Sequence, residues 1–233
     1  MSFYQSDVYV DYGSLFIFHP ETNNLFRQNS LYSCLLAQLN ADEKTSRFLS
    51  SKSWFVNYVQ ILESIFWQFS EVKSDRYRPD KIGADLVLKD LMSDFFREIA
   101  PPDASRSVVS GMELLLEKPL TEEAIEVYHA GTFAETDSDD FMLEPYPGTV
   151  TRVKLQVNFV SNLNVISTLC LFFTTAEIVK GHLLSQKFST QEIVGDIHVY
   201  TTTATLHERS YAVISQRVKD KIQSKVDDFI FAL

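Results

Sequence analysis

Residues 153 to 165 alternate between two kinds of side chain. Val153, Leu155, Val157, Phe159, Leu163 and Val165 are apolar, and Lys154, Gln156, Asn158, Asn162 and Asn164 stand between them, with Val160 as the exception. Successive side chains of a strand point to opposite faces, so the spacing predicts a long strand in a sheet that is dry on one face and wet on the other. Residues 161–164 carry turn chemistry, and strand-like segments follow at 166–175, 181–188 and 197–206. Together they predict an antiparallel β-meander at about 150–207.

The first half reads as largely helical after a short strand or hairpin over residues 7–18, which ends at His19-Pro20. Asn29-Ser30 offers an N-cap for a helix over about 31–39, and Ser51 or Ser53 does so for a longer helix ending near Phe69. In that second helix Trp54, Tyr58, Ile61, Leu62, Ile65, Phe66 and Phe69 follow the 3.6-residue period and give one broad apolar face. Residues 70–80 are polar and read as a loop. Leu88, Met92, Phe95 and Ile99 form the stripe of an amphipathic helix stopped by Pro101-Pro102. Asp103 or Ser105 opens another helix with Val108, Met112 and Leu115 inward, and Thr121 with Glu122 and Glu123 starts a short one ending near Gly131.

Residues 134–149 combine carboxylates with Pro145, Pro147 and Gly148, which is loop composition. Beyond the meander, Tyr211, Ile214, Val218, Ile222, Val226 and Phe229 form a helical stripe backed by Arg217, Lys219, Lys221 and Lys225. The predicted fold is α+β: a largely helical N-terminal half, the antiparallel meander, and a closing C-terminal helix packed on the sheet. A single domain over 1–233 is expected, with an internal division at 134–149 between a helical 1–133 and a sheet with its closing helix at 150–233. This order of elements resembles the helix-wrapped sheets of some cytolytic toxins and the helix-grip sheets of lipid-binding proteins. No shared motif carries either resemblance, and no family follows from it.

Composition narrows the function. The 233 residues carry 31 Asp and Glu against 21 Lys and Arg, a net charge of -10, so the average field repels phosphate backbones and general nucleic-acid binding is not expected. Cys34 and Cys170 lie in apolar runs and read as buried hydrophobes in a reducing compartment. The opening MSFYQSDVYVDYGSLF has no basic n-region and no long apolar stretch, so no signal peptide is read and a cytoplasmic location is expected. No apolar run approaches the ~20 residues of a membrane helix.

Catalytic motifs do not emerge. Counting from Asp137, the acidic run Asp137, Asp139, Asp140 meets Met142 and Gly148 where a calcium loop needs glycine and glutamate. His19, His129, His182, His198 and His207 include no pair at i, i+4 spacing, no CxxC accompanies them, and neither a nucleophile elbow nor a phosphate-binding loop is present. His207-Glu208 at a strand-to-helix junction reads as a helix-start carboxylate beside a surface imidazole. No cofactor and no metal are expected.

Two function classes remain, with a third behind them. The first is a non-enzymatic protein-interaction module, probing a protein partner or a second copy through Trp67, which falls off the apolar stripe, and Tyr58. The second is a membrane-active, cytolysin-like protein whose amphipathic hairpins enter a bilayer, with Leu155, Val157, Phe159 and Phe172 as the membrane-facing residues. An apolar-ligand-binding protein, or a hydrolase with a dispersed cluster, is the third.

Overall fold

A computed structural model describes residues 7–79, 85–99, 102–117, 121–137, 149–179 and 183–233. The fold is α+β with a C-terminal helix. Among the described residues one sheet holds eight strands: β1 (Val8–Asp11), β2 (Ser14–Phe18), β3 (Trp67–Tyr77), β5 (Phe133–Asp137), β6 (Thr149–Val160), β7 (Val165–Thr175), β9 (Ile193–Leu206) and β10 (Ile230–Ala232). Their order is β10-β1-β2-β6-β7-β9-β3, with β5 also paired to β6. The strands β6, β7 and β9 are the expected antiparallel meander. Two short strands, β4 (Asp85–Val87) and β8 (Lys187–Ser189), pair apart from it.

Helices cover both faces of the sheet. On one lie α1 (Asn24–Lys44), α2 (Ser51–Ser64) and α6 (Glu208–Phe229); on the other lie α3 (Leu88–Ile99), α4 (Pro102–Glu117) and α5 (Glu122–Thr132). The first core joins Phe26, Leu31, Leu35, Trp54, Phe55 and Tyr58 to Ile166, Cys170, Phe172 and Tyr200 of the sheet. The second joins Leu88, Met92, Phe96, Val108 and Met112 to Val153, Leu155, Val157, Leu169, Leu171 and Val199. The expected wet face is therefore absent from the folded chain: Lys154, Gln156 and Asn158 are fully buried beneath helices. Alternation records which residues share a face, not whether water or a helix lies against it.

Local chemistry explains where other boundaries moved. The first helix begins earlier than expected because Asn23, not Asn29 or Ser30, is its cap, accepting from the Phe26 amide at 2.8 Å. The second ends at Ser64, since Phe66 takes a φ of 72° and turns the chain back into β3. Residues 70–77, expected as loop, belong to that strand, which runs antiparallel to β9 at the end of the sheet. Its exposed Lys73, Asp75 and Arg76, spread over both faces, suit an edge, because charges there disfavour unwanted pairing. Thr121 caps α5 as expected, accepting from the Ala124 amide.

Part of the expected loop over 134–149 is strand β5, while residues 138–148, including Asp139, Asp140, Met142 and Gly148, lie outside the described residues, as does His182. The strand expected at 181–188 is described only as β8, and α6 packs along α1, sharing the core that α1 forms with the sheet.

One edge of β6 is served by two strands of opposite direction. The antiparallel β5 pairs with Thr149–Val153 and the parallel β2 with Gln156–Val160, so the two meet end to end beside Lys154. There the chain passes so closely that a Cβ on Gly13 would stand 2.0 Å from the Gly131 carbonyl oxygen. Neither backbone has room to withdraw without breaking a strand pair. Gly13→Ala or Gly131→Ala is expected to lower the free energy of unfolding by about 3 kcal/mol or more, measured by urea denaturation; a loss below about 1 kcal/mol would show that the join opens freely.

Candidate functional site

The densest chemistry lies where the two strands meet, between the sheet and α1–α2. Lys154, on the α2-facing side of β6, is 0% exposed; its Nζ donates to the Gly13 carbonyl at 2.9 Å and to Gln38 Oε1 at 3.4 Å, and sits 4.9 Å from the Trp54 ring centroid. Arg47, just beyond α1, donates Nη1 to the Gly131 carbonyl at 2.9 Å and Nε to Asp42 at 2.8 Å, with a further ion-pair contact to Asp42 through Nη2. Its guanidinium lies 4.1 Å from the Tyr12 ring centroid. Trp54 Nε1 donates to the same Asp42 at 2.7 Å. Thus the two carbonyls that the strand join leaves facing inward are each met by a cation.

Asp11, at the end of β1, completes the group. It is 0% exposed, and among the described residues neither carboxyl oxygen has a hydrogen-bond partner, although Gln38 Nε2 donates to its backbone carbonyl at 3.1 Å. Burial pushes its carboxyl well above the usual carboxylate range, and the positive charges of Lys154 and Arg47 offset this only in part. Burial likewise pulls the Lys154 ammonium down to about 7, with Arg47 acting in the same direction and Cys170, Asp42 and Asp11 opposing. Both shifts favour the uncharged forms, as expected where solvation by water has been lost.

Further along β6 the polar row continues. Gln156 Nε2 donates to the Tyr58 hydroxyl at 3.0 Å and to Asn158 Oδ1 at 3.2 Å, and Thr168 Oγ1 donates to Asn158 Oδ1 at 2.8 Å. Gln156 Oε1 and Asn158 Nδ2 are buried without a partner among the described residues. Tyr58 also touches the Cys34 thiol, and burial raises both groups. The row is a polar seam in an aromatic layer: Trp54 stacks on Tyr58 at 5.5 Å between centroids and meets Phe172 edge-on at 6.1 Å.

The residues singled out from the sequence fall in three places. Trp67, expected on an exposed helical surface, is the first residue of β3, 2% exposed and packed 5.8 Å from Phe26, and its indole nitrogen has no partner among the described residues. Tyr58 is buried against Gln156. Leu155, Val157 and Phe159 share the face beneath α3 and α4, but Phe172 does not: it is the cross-strand partner of Lys154 and points with it toward α2. On β7 it is Leu169, Leu171 and Phe173 that join the apolar face. Sequence reasoning does not find Asp11, Asp42 and Arg47: Asp42 and Arg47 are local partners at the end of α1, and only folding brings that pair to Asp11 and Lys154.

Lys154 gives this site a pH dependence with a definite sign. Its pKa is near 7 in the folded chain and near 10.5 in an exposed lysine, so between those values the unfolded state binds more protons and stability rises with pH. Below 7 both states carry the charge and the full penalty remains. Replacing the ammonium in Lys154→Met is expected to remove this contribution. The stability difference between wild type and variant should change by up to about 1.4 kcal/mol per pH unit across that window, measured by urea denaturation at a series of pH values. A difference independent of pH would mean that Lys154 is charged in both states.

No protein-family model matches the chain, and no curated protein matches it. Among solved structures it is similar to a delta-endotoxin, at 11% identity over 84% of this chain and 82% of that one, with a TM-score of 0.43. It is also similar to the activated Cyt2Ba monomer from Bacillus thuringiensis subsp. israelensis, at 12% identity over 84% of this chain and 98% of that one, with a TM-score of 0.42. Likeness at this level assigns neither a family nor an activity.

Proposed function

We propose that the chain is a membrane-active protein whose strands β6, β7 and β9 leave their helical covers and enter a lipid bilayer. One observation carries the reading: the sheet is sided although both its faces are buried. One face of the three strands presents Val153, Leu155, Val157, Phe159, Leu169, Leu171, Phe173, Ile197 and Val199, interrupted by Ser167 and Thr201; the other carries Lys154, Gln156, Asn158, Thr168 and Thr202 among Ile166, Cys170, Phe172 and Tyr200. The polar row is only partly satisfied in the covered sheet, where Gln156 Oε1 and Asn158 Nδ2 have no partner among the described residues. Such sidedness is what a lipid-facing surface backed by a wet lumen requires. The lengths also suit, at 12, 11 and 14 residues against the ~9–11 needed for a tilted strand to cross the hydrocarbon.

Entry requires that α3 and α4 leave the apolar face and that α1 and α2 leave the polar one. Three strands cannot close on themselves, and an open edge is not tolerated in lipid, so several copies must pair. The edge strand β3 is the place for that pairing: it spans 11 residues and has Val72 53% exposed. Self-association then belongs to the membrane-bound state, not to a separate interaction surface at Trp67 or Tyr58, which the helical layer keeps buried.

Dye release from liposomes tests this directly. The purified chain is expected to release an entrapped fluorophore, and a Trp67→Phe variant, which retains Trp54 alone, should show a change in emission as α2 leaves the sheet. Absence of release across lipid compositions and pH, with Trp54 emission unchanged, would overturn the reading.

A further inference from the structure

We propose that the end of the sheet at the β6–β7 turn is the surface that meets a zwitterionic lipid membrane, with Leu163 entering it first. The proposal rests on the membrane-active reading and names the end of the strands from which entry begins. The turn is Ser161-Asn162-Leu163-Asn164, three residues of turn chemistry around one leucine. Leu163 is 79% exposed. Its neighbours Asn162 and Asn164 reach back to the body of the protein, donating to Glu21 at 3.2 Å and to Glu208 at 2.7 Å. Held on both sides, the turn presents the leucine to solvent.

Two other apolar side chains stand exposed around the same point. Phe66, in the turn between α2 and β3, is 39% exposed, and its carbonyl accepts at 2.9 Å from the amide of His207, the residue before Glu208. Leu25, 63% exposed in the first turn of α1, lines a cleft with Glu208 and Ala212. Leu25, Phe66 and Leu163 thus reach one end of the molecule from three separate elements, and none belongs to either core. An exposed apolar cluster marks a contact surface, where single residues scattered over the protein would not.

Hydrogen bonding and charge identify the occupant. Of the five amide N–H groups of residues 161–165, four are satisfied inside the turn: Ser161 donates to the Val165 carbonyl, Asn164 to the Ser161 carbonyl, and Leu163 and Val165 to Ser161 Oγ. A turn closed in this way offers few donors to a protein partner. It also carries few unpaired amides into the boundary between headgroups and acyl chains, where each would cost free energy. Glu21, Glu63 and Glu208 surround the cluster and outnumber Arg209 and Lys219, on a chain of net charge -10, so an anionic surface would be repelled. A zwitterionic surface takes the same apolar side chains without that repulsion.

The test uses the full chain with phosphatidylcholine vesicles. Ile178, 62% exposed just beyond β7, marks the opposite end of the sheet. Leu163→Cys and Ile178→Cys are each labelled in the folded protein, where Cys34 and Cys170 are buried, with an environment-sensitive fluorophore. On binding, the label at position 163 should brighten and shift to the blue while that at 178 stays unchanged. Leu163→Glu should bind the vesicles about tenfold more weakly or worse, the loss expected when one leucine no longer leaves water. Ile178→Glu should bind as wild type does, and circular dichroism reports that each variant is folded. Should Leu163→Glu not fold, Leu25→Glu, whose charge suits the first turn of a helix, must weaken binding.

A label at 178 that enters lipid while that at 163 stays in water, binding by Leu163→Glu equal to wild type, or binding that requires added phosphatidylserine would overturn the proposal. Dye release by wild type in any of those cases would leave the membrane-active reading standing. Binding through Leu163 with no dye release by wild type would do the reverse, and neither binding nor release would remove both.

Discussion

The hydrogen bond from the Lys154 ammonium to the Gly13 carbonyl is the contact on which the rest of the structure depends. The strand β6 is paired along its length by β7, but its other edge is shared between β5 and β2, which run in opposite directions and come from distant parts of the chain. No ladder can bridge the point where they meet. The carbonyls of Gly13 and Gly131 turn inward there and must find donors, since an unpaired buried carbonyl is costly. Lys154 supplies one from the sheet and Arg47 the other from beyond α1. A single junction thereby ties together the two halves of the sheet edge, α1 and the end of α5.

That solution makes the two sides of the molecule unequal in how firmly they are sealed. Beneath α3 and α4 the contact is between apolar surfaces, adaptable and indifferent to pH. Beneath α1 and α2 it includes charges and amides that are only partly satisfied: the Asp11 carboxyl, Gln156 Oε1 and Asn158 Nδ2 have no partner among the described residues. A polar network in this condition is stabilised by the donors it has and strained by those it lacks. The helices over it are therefore held by geometry at a few points as well as by hydrophobic area.

Much of this arrangement was legible in the sequence, and what was missed has identifiable causes. Period-two alternation located β6 and its meander correctly because it depends only on which residues share a face. It could not distinguish water from two helices, one bearing Gln38 and the other Trp54 and Tyr58, as the environment of the polar row. Trp67 was misplaced because the 3.6-residue stripe of α2 runs on through Ile65, Phe66 and Phe69, and nothing in the residue types announces the positive φ at Phe66 that ends it. The strand β3 escapes the pattern for the opposite reason: from Val72 to Tyr77 it is an exposed, mostly charged edge with little apolar alternation to show. The charge junction was beyond sequence reading, since Asp11, Asp42, Arg47 and Lys154 acquire their meaning only from the proximity of two glycines 118 positions apart.

The two cysteines give the layered arrangement a chemical consequence. Cys34 belongs to α1 and Cys170 to β7, both are buried as free thiols, and burial pushes each thiol pKa up, that of Cys170 to about 12. The thiolate is the nucleophile that attacks an alkylating reagent, so while the layers are closed both sulfurs are shielded and chemically quiet. Separation of α1 from the sheet would return both to water at once, on opposite sides of the gap. The chain therefore carries its own covalent record of opening: a pair of labels, one on the cover and one on the sheet, silent in the packed protein and readable by mass after any event that parts them.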